Sequence, residues 1–178
     1  MIRTFLTLAC TLFFFSAVNC TAEELQLGAE LPAVSTIDQD GAEINLADYA
    51  TKPFVLVYFY PKADTGGCTK QGCSLRDAYA ELTDMGVTVI GVSTDSAAEQ
   101  LAFRNKFRFP FALVADENHA VAEAFGVPMV GNGQRTARQA YLFEEGKLVW
   151  LDKKASTEKQ ADDVKAAIAE IQSKEKAM

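Results

Sequence analysis

The chain has one histidine, one tryptophan and four cysteines in 178 residues, and each scarcity removes a class of chemistry. A structural or catalytic zinc site needs about four ligands. Cys10 and Cys20 lie in the N-terminal segment, so the rest of the chain offers only Cys68, Cys73 and His119, and no metal is expected. A cysteine–histidine hydrolase would need His119 beside a cysteine together with a third, orienting group. Its setting at Asn118-His119, opening a short helix, reads instead as surface. Gly131 and Gly133 are a lone pair without the strand-to-helix context of a nucleotide site. Positive charge is also in deficit. The net charge of −7 argues against nucleic acid and anionic membrane surfaces as partners. Repeats and low-complexity linkers are missing, and the length suits one domain with a sizeable core. Phe103, Phe107, Phe109 and Phe111 read as part of that core.

No run is apolar enough to span a bilayer, but one is long enough for an export signal. Residues Met1–Ala22 combine an early Arg3, the 14 uncharged residues Phe5–Val18 and small residues before Glu23-Glu24. Cleavage after Ala22 would leave residues 23–178 as a soluble domain of net charge −8 in a periplasmic or extracellular setting. Lipid modification at Cys20 is the alternative, disfavoured by Asn19 just before it. Export implies an oxidising compartment, where Cys68 and Cys73 are either a structural bridge or a redox pair.

Hydrophobic periodicity orders the rest of the chain. Val34–Leu46 reads as a hairpin turning at Asp40-Gly41. Phe54–Tyr60 and Val87–Ser93 are continuous apolar runs of the kind buried on both sheet faces. Between them, Leu75, Ala78, Tyr79 and Leu82 mark a helix from about Cys68 to Met85. Ser96 and Glu99 form a capping box opening a helix toward Phe107. A strand at Phe111–Ala115, a short helix His119–Phe125 closed by Gly126, and a hairpin around Glu145-Gly146 follow. Thr157 and Gln160 predict the cap of a last, charge-rich helix with Val164, Ala167, Ile168 and Ile171 on its apolar face. Alternating strands and helices ending in an antiparallel hairpin predict an α/β, thioredoxin-like central mixed sheet flanked by helices. The late hairpin argues against a wholly parallel flavodoxin-like sheet.

The segment Tyr58–Cys73 carries the chemistry. It falls where a buried strand ends and a helix begins, the edge at which open α/β sheets build sites. Cys68 in the first helical turn would lie among unpaired backbone N–H groups, which favour the thiolate. Thr65 can place a hydroxyl beside the sulfur, Gly66 and Gly67 let a small substrate approach the backbone, and Pro61 can shield the pocket. On one helix, residues five apart are separated by about 7.5 Å of rise and roughly 140° of rotation, whereas a disulfide needs Cα atoms within about 7 Å. A Cys68–Cys73 bond therefore requires the helix to unwind. That suits a redox switch better than a staple, although a structural bridge in a loop remains open at this point. The spacing does not match the C-x-x-C of a thioredoxin-type reductase.

Pro61-x-x-x-Thr65-x-x-Cys68 resembles the active-site motif of peroxiredoxins. With Cys73 five residues on and Leu75-Arg76-Asp77 after it, the chain resembles the bacterioferritin-comigratory, or Q-type, subgroup over about Leu27–Ile171. The resemblance implies a thiol peroxidase without cofactor. Cys68 would be the peroxidatic cysteine and Cys73 the resolving one, joined in a disulfide during turnover. Thr65 would orient the peroxide, Pro61 and Gly67 would line its site, and Arg138 would hold the thiolate and peroxide oxygens, with Arg135 as competitor. The implied partners are a hydroperoxide and a thioredoxin-like protein reductant, for a monomer or weak dimer. A thiol–disulfide oxidoreductase of the same fold is the alternative. Two departures stand out: Gly66 replaces the subgroup's usual proline, and the loop Met129–Thr136 carries extra glycines.

Overall fold

The computed structural model describes residues 24–177; the segment read as an export signal, with Cys10 and Cys20, lies outside them. The sheet is built around β3 (Phe54–Phe59), whose six residues are all buried. Its side chains alternate between two cores. Phe54, Leu56 and Tyr58 join one, and Val55, Val57 and Phe59 the other. A strand apolar on both faces is stable only where both faces are covered, which puts β3 inside the sheet.

The chain begins with the expected hairpin, β1 (Ser35–Asp38) and β2 (Glu43–Asn45), turning through Gly41 at φ +76°. Helices α1 (Gly66–Asp77) and α2 (Tyr79–Asp84) connect β3 to β4 (Val87–Ser93). Next come α3 (Ala97–Phe107), β5 (Ala112–Ala115) and α4 (Ala120–Phe125). A two-stranded ribbon, β6 (Met129–Val130) and β7 (Arg135–Thr136), precedes the second hairpin, β8 (Gln139–Glu144) and β9 (Lys147–Asp152), and α5 (Gln160–Glu175). The seven-stranded sheet runs β2-β1-β5-β4-β3-β8-β9. β3, β4 and β5 are parallel, while β8 is antiparallel to β3. This is the mixed sheet expected.

The Ser96–Glu99 capping box forms with both of its hydrogen bonds. Two expectations need correction. The Cys68–Met85 helix starts two residues earlier, at Gly66, and breaks at Ala78 (φ −97°, ψ 9°) into α1 and α2. Thr157 does not cap α5. That helix begins at Gln160 after Lys159, without a side-chain cap, because the Gln160 side chain is turned into the protein and bonded elsewhere. The segment with the extra glycines forms the β6–β7 ribbon, tied to the end of β4 by Thr94 Oγ1 donating to Gln134 O at 2.8 Å.

Candidate active site

Residues Cys68, Gln71, Gly72 and Leu75 are the buried residues of α1. Their spacing of three, four and seven is one helical face. It packs against the sheet, so Cys68 is 2% exposed and belongs to the core beneath α1. Gly72 is required by closeness, since a β-carbon there would lie 2.6 Å from the Phe109 ring. Cys73, one residue off that face, is half-buried, and both cysteines are free thiols. They occupy one unbroken helix, so the bond between them needs the opening inferred from their spacing.

Arg138 enters from the segment between β7 and β8. Thr136, fully buried, donates its hydroxyl to Tyr60 O at 3.1 Å, which fixes that segment against the end of β3. Arg138 Nη2 then stands 3.3 Å from the Cys68 sulfur, while Nη1 donates to Gln71 Oε1. A guanidinium at this distance can donate to the sulfur and to an oxygen brought beside it. Arg135, the competitor, is exposed on β7. A β-carbon at Gly67 would approach Arg138 Nη2 to 3.3 Å and Thr157 Cγ2 to 3.4 Å, so even alanine would crowd the guanidinium.

Pro61 is half-buried and Thr65 exposed. The Thr65 hydroxyl donates to Lys62 O at 2.9 Å, and it makes no side-chain cap to the helix it precedes. Its backbone carbonyl accepts from Thr69 N at 2.8 Å, starting the helix directly below the cysteine. His119 lies at the entrance to α4, in left-handed backbone at φ +63°. There Asp116, not His119, binds the helix N-terminus through Val121 N and Ala122 N, at 2.9 and 2.8 Å.

Two groups that the sequence reading passed over complete the site. Asp95, 7% exposed, accepts from Ala63 N and from Ser93 Oγ, each at 2.7 Å. It thereby holds the loop that leads to Cys68. Ser93 in turn accepts from Gln100 Nε2 at 2.8 Å, and Gln100 accepts from the Tyr60 hydroxyl. On the other side of Cys68, Gln71 Nε2 donates to Gln160 Oε1 at 2.8 Å. Gln71 could have been found from the sequence, because it lies three residues past Cys68 on the same helical face; Gln160 gave only a misleading capping signal. Beneath the helix the Tyr58 hydroxyl is buried without a partner. Burial, reinforced by the neighbouring Tyr60, Cys68 and Cys73, pushes its pKa well above that of ordinary tyrosine, with Arg138 opposing.

Comparison with known proteins matches residues 27–151 to the AhpC/TSA family. The chain is 40% identical over 124 residues to the chloroplastic peroxiredoxin Q of Suaeda salsa, covering 70% of this chain and 58% of that protein. It is 48% identical over 103 residues to peroxiredoxin Bcp of Escherichia coli (strain K12), covering 58% and 65% respectively. The chain thus spans somewhat under two thirds of the length of these relatives. Among solved structures it resembles peroxidoxin BcpB of Mycobacterium tuberculosis, with a TM-score of 0.77, 28% identity and coverage of 83% of this chain and 99% of that one. It also resembles the bacterioferritin comigratory protein of Xanthomonas campestris, with a TM-score of 0.73, 30% identity and coverage of 81% and 98%. The thioredoxin-like sheet with flanking helices is common to them.

Proposed function

Because the chain belongs to the AhpC/TSA family, we propose that it is a thiol-dependent peroxidase, reducing hydrogen peroxide and organic hydroperoxides through Cys68 and a Cys68–Cys73 disulfide. The observation that carries this reading is the Arg138 guanidinium 3.3 Å from the Cys68 sulfur, at the first turn of a helix. The relatives favour it over the thiol–disulfide oxidoreductase.

In the proposed cycle the Cys68 thiolate attacks the terminal peroxide oxygen. The O–O bond breaks, the leaving hydroxide or alkoxide takes a proton, and the sulfur, oxidised by two electrons, becomes a sulfenic acid. Arg138 and the backbone amides of the first turn stabilise the charge moving onto the leaving oxygen. Thr65 orients the peroxide: its hydroxyl, while donating to the Lys62 carbonyl, keeps lone pairs that can accept from the peroxide O–H. Pro61 and Gly67 bound the space around the sulfur. The Cys73 thiol then attacks the sulfenic sulfur, the S–O bond breaks, water leaves and the disulfide closes. A thioredoxin-like dithiol protein returns both thiols and is itself oxidised. Sulfur carries both electrons throughout, so the cycle needs no cofactor. We place this activity outside the cytoplasm, as a monomer or weak dimer released after Ala22. The intact mass of the mature protein separates that cleavage from lipidation at Cys20.

The activity is tested with the reduced protein, hydrogen peroxide and a dithiol protein reductant. Turnover should vanish in Cys68→Ser. Cys73→Ser should consume one equivalent and accumulate the sulfenic acid; multiple turnovers in that variant would remove Cys73 from the mechanism.

A further inference from the structure

The start of α5 grips α1 on the turn that separates the two cysteines. Lys70 Nζ meets Glu158 Oε1 at 2.6 Å, Gln71 Nε2 donates to Gln160 Oε1 at 2.8 Å, and Ala161 N donates to Ser74 Oγ at 3.1 Å. The ion pair is exposed at both ends and contributes little. The glutamine pair is different, since both residues are 0% exposed. Gln71 also accepts from Arg138 Nη1, whose other amino group is on the Cys68 sulfur. One hydrogen-bonded chain therefore runs from Gln160 through Gln71 and Arg138 to the reacting atom.

Gln160 makes a poor choice for stability alone. Its Nε2 is buried without a hydrogen-bond partner, an arrangement that folded proteins avoid because the lost hydration is not replaced. Apolar residues of similar length at both 71 and 160 would fill the space without an orphaned donor. The half that is bonded, the carbonyl oxygen, is the half that addresses the active site.

We propose that Gln160 is a positioning residue for the Cys68 reaction, acting through Gln71. Its carbonyl orients the Gln71 amide so that the Gln71 oxygen faces Arg138, and the same bond holds the intercysteine turn helical, so that its release is part of disulfide closure. The proposal rests on the peroxidase reading. Closure needs the two Cα atoms within about 7 Å, and α1 must open to allow it. Opening breaks the Gln71–Gln160 and Ser74–Ala161 bonds. A loosened Gln160 thus acts with opposite signs on the two chemical steps. Arg138 is held less well, which slows attack on peroxide, while α1 opens more often, which speeds closure.

The test compares Gln160→Met, Gln71→Met and the double variant with the parent protein. Amide hydrogen exchange across residues 69–74 of the reduced protein reports opening without any chemistry. Single-turnover mixing with hydrogen peroxide separates sulfenic acid formation from disulfide closure. One lost neutral hydrogen bond corresponds to roughly a two- to tenfold change in an equilibrium constant. Gln160→Met should therefore raise exchange in residues 69–74 by about that factor, speed closure and slow the first step. The double variant should match the Gln71 single variant, because the effect passes through that residue. Ser74→Ala offers a second way to loosen the same turn and should raise exchange there while leaving the first step unchanged. Unaltered exchange in Gln160→Met, both steps slowing in proportion to lost thermal stability, or additive effects in the double variant would each overturn the proposal. If the parent consumes no peroxide, the peroxidase reading fails while the exchange result still decides the latch. If peroxide is consumed and exchange does not respond, only the latch fails.

Discussion

The chain before Cys68 and the helix after it are held in different ways. The approach, residues 61–65, is tied to the sheet by a network whose groups complete one another. Asp95 binds Ala63 N and Ser93, Ser93 binds Gln100, and Gln100 binds Tyr60 and donates to Val114 O. Asp64, in left-handed backbone at φ +54°, adds a two-pronged contact with Lys106 on α3. Toward α5, the helix after Cys68 is held by one glutamine pair that ends in an orphaned amide, one hydroxyl and an exposed ion pair, and near its far end Arg76 Nη1 donates to Phe107 O at 2.8 Å. Closed polar networks inside a protein rigidify, and incomplete ones are where structure gives way. The difference matches the two demands that the proposed cycle makes on the site. Attack on a peroxide needs a sulfur held in place against its donors, and resolution needs the same helix to let go.

The largest expected effect comes from the group hydrogen-bonded to the Cys68 sulfur itself. Arg138→Met should slow the reaction of Cys68 with hydrogen peroxide by about 10²–10³-fold, the range for losing one donor to a developing oxyanion, in stopped-flow measurements on the reduced protein. An effect within threefold would remove the arginine from the mechanism. Asp95→Ala strikes the rigid side. It strands a backbone N–H and a hydroxyl that now share a buried carboxylate, so denaturant unfolding should show a loss of about 2–4 kcal/mol. The first chemical step should slow as well, without faster exchange in residues 69–74. If Asp95→Ala instead loosened α1 and spared the approach loop, the comparison between the two regions would be wrong. Gly72→Ala strikes the yielding side. Its methyl group would collide with the Phe109 ring, and overpacking of this kind costs about 1–3 kcal/mol. Exchange should rise in α1 while the amides of β3 and β4 stay protected.

Much of this was legible in the chain itself. The apolar runs at Phe54–Tyr60 and Val87–Ser93, and the turn residues Asp40-Gly41 and Glu145-Gly146, act locally, so hydrophobicity and backbone preference suffice to read them. Cys68 and Cys73 announced themselves by spacing, whereas Arg138 was expected only from the resemblance to peroxiredoxins, with Arg135 as competitor. The misreadings share one cause. Thr157 and Gln160 have the spacing of a capping box, but the pairing of Gln160 with Gln71 from 89 residues away displaced the local bond. The Thr65 hydroxyl donates to a carbonyl three residues back, a bond that the motif spacing does not announce. Asp95 carried no signal, because nothing in a linear pattern says that a carboxylate after a strand will meet the amide of Ala63.

By itself the order of residues determined which elements form, where the reactive thiol falls and that its partner lies out of reach on a continuous helix, since helix geometry and burial period are properties of neighbouring residues. Only the tertiary structure decided which arginine reaches the sulfur, which carboxylate holds the loop and which glutamines join α1 to α5. Those contacts link residues 32 to 89 positions apart. Their strength depends on exclusion from water, a condition that exists only once the sheet and helices have closed around them.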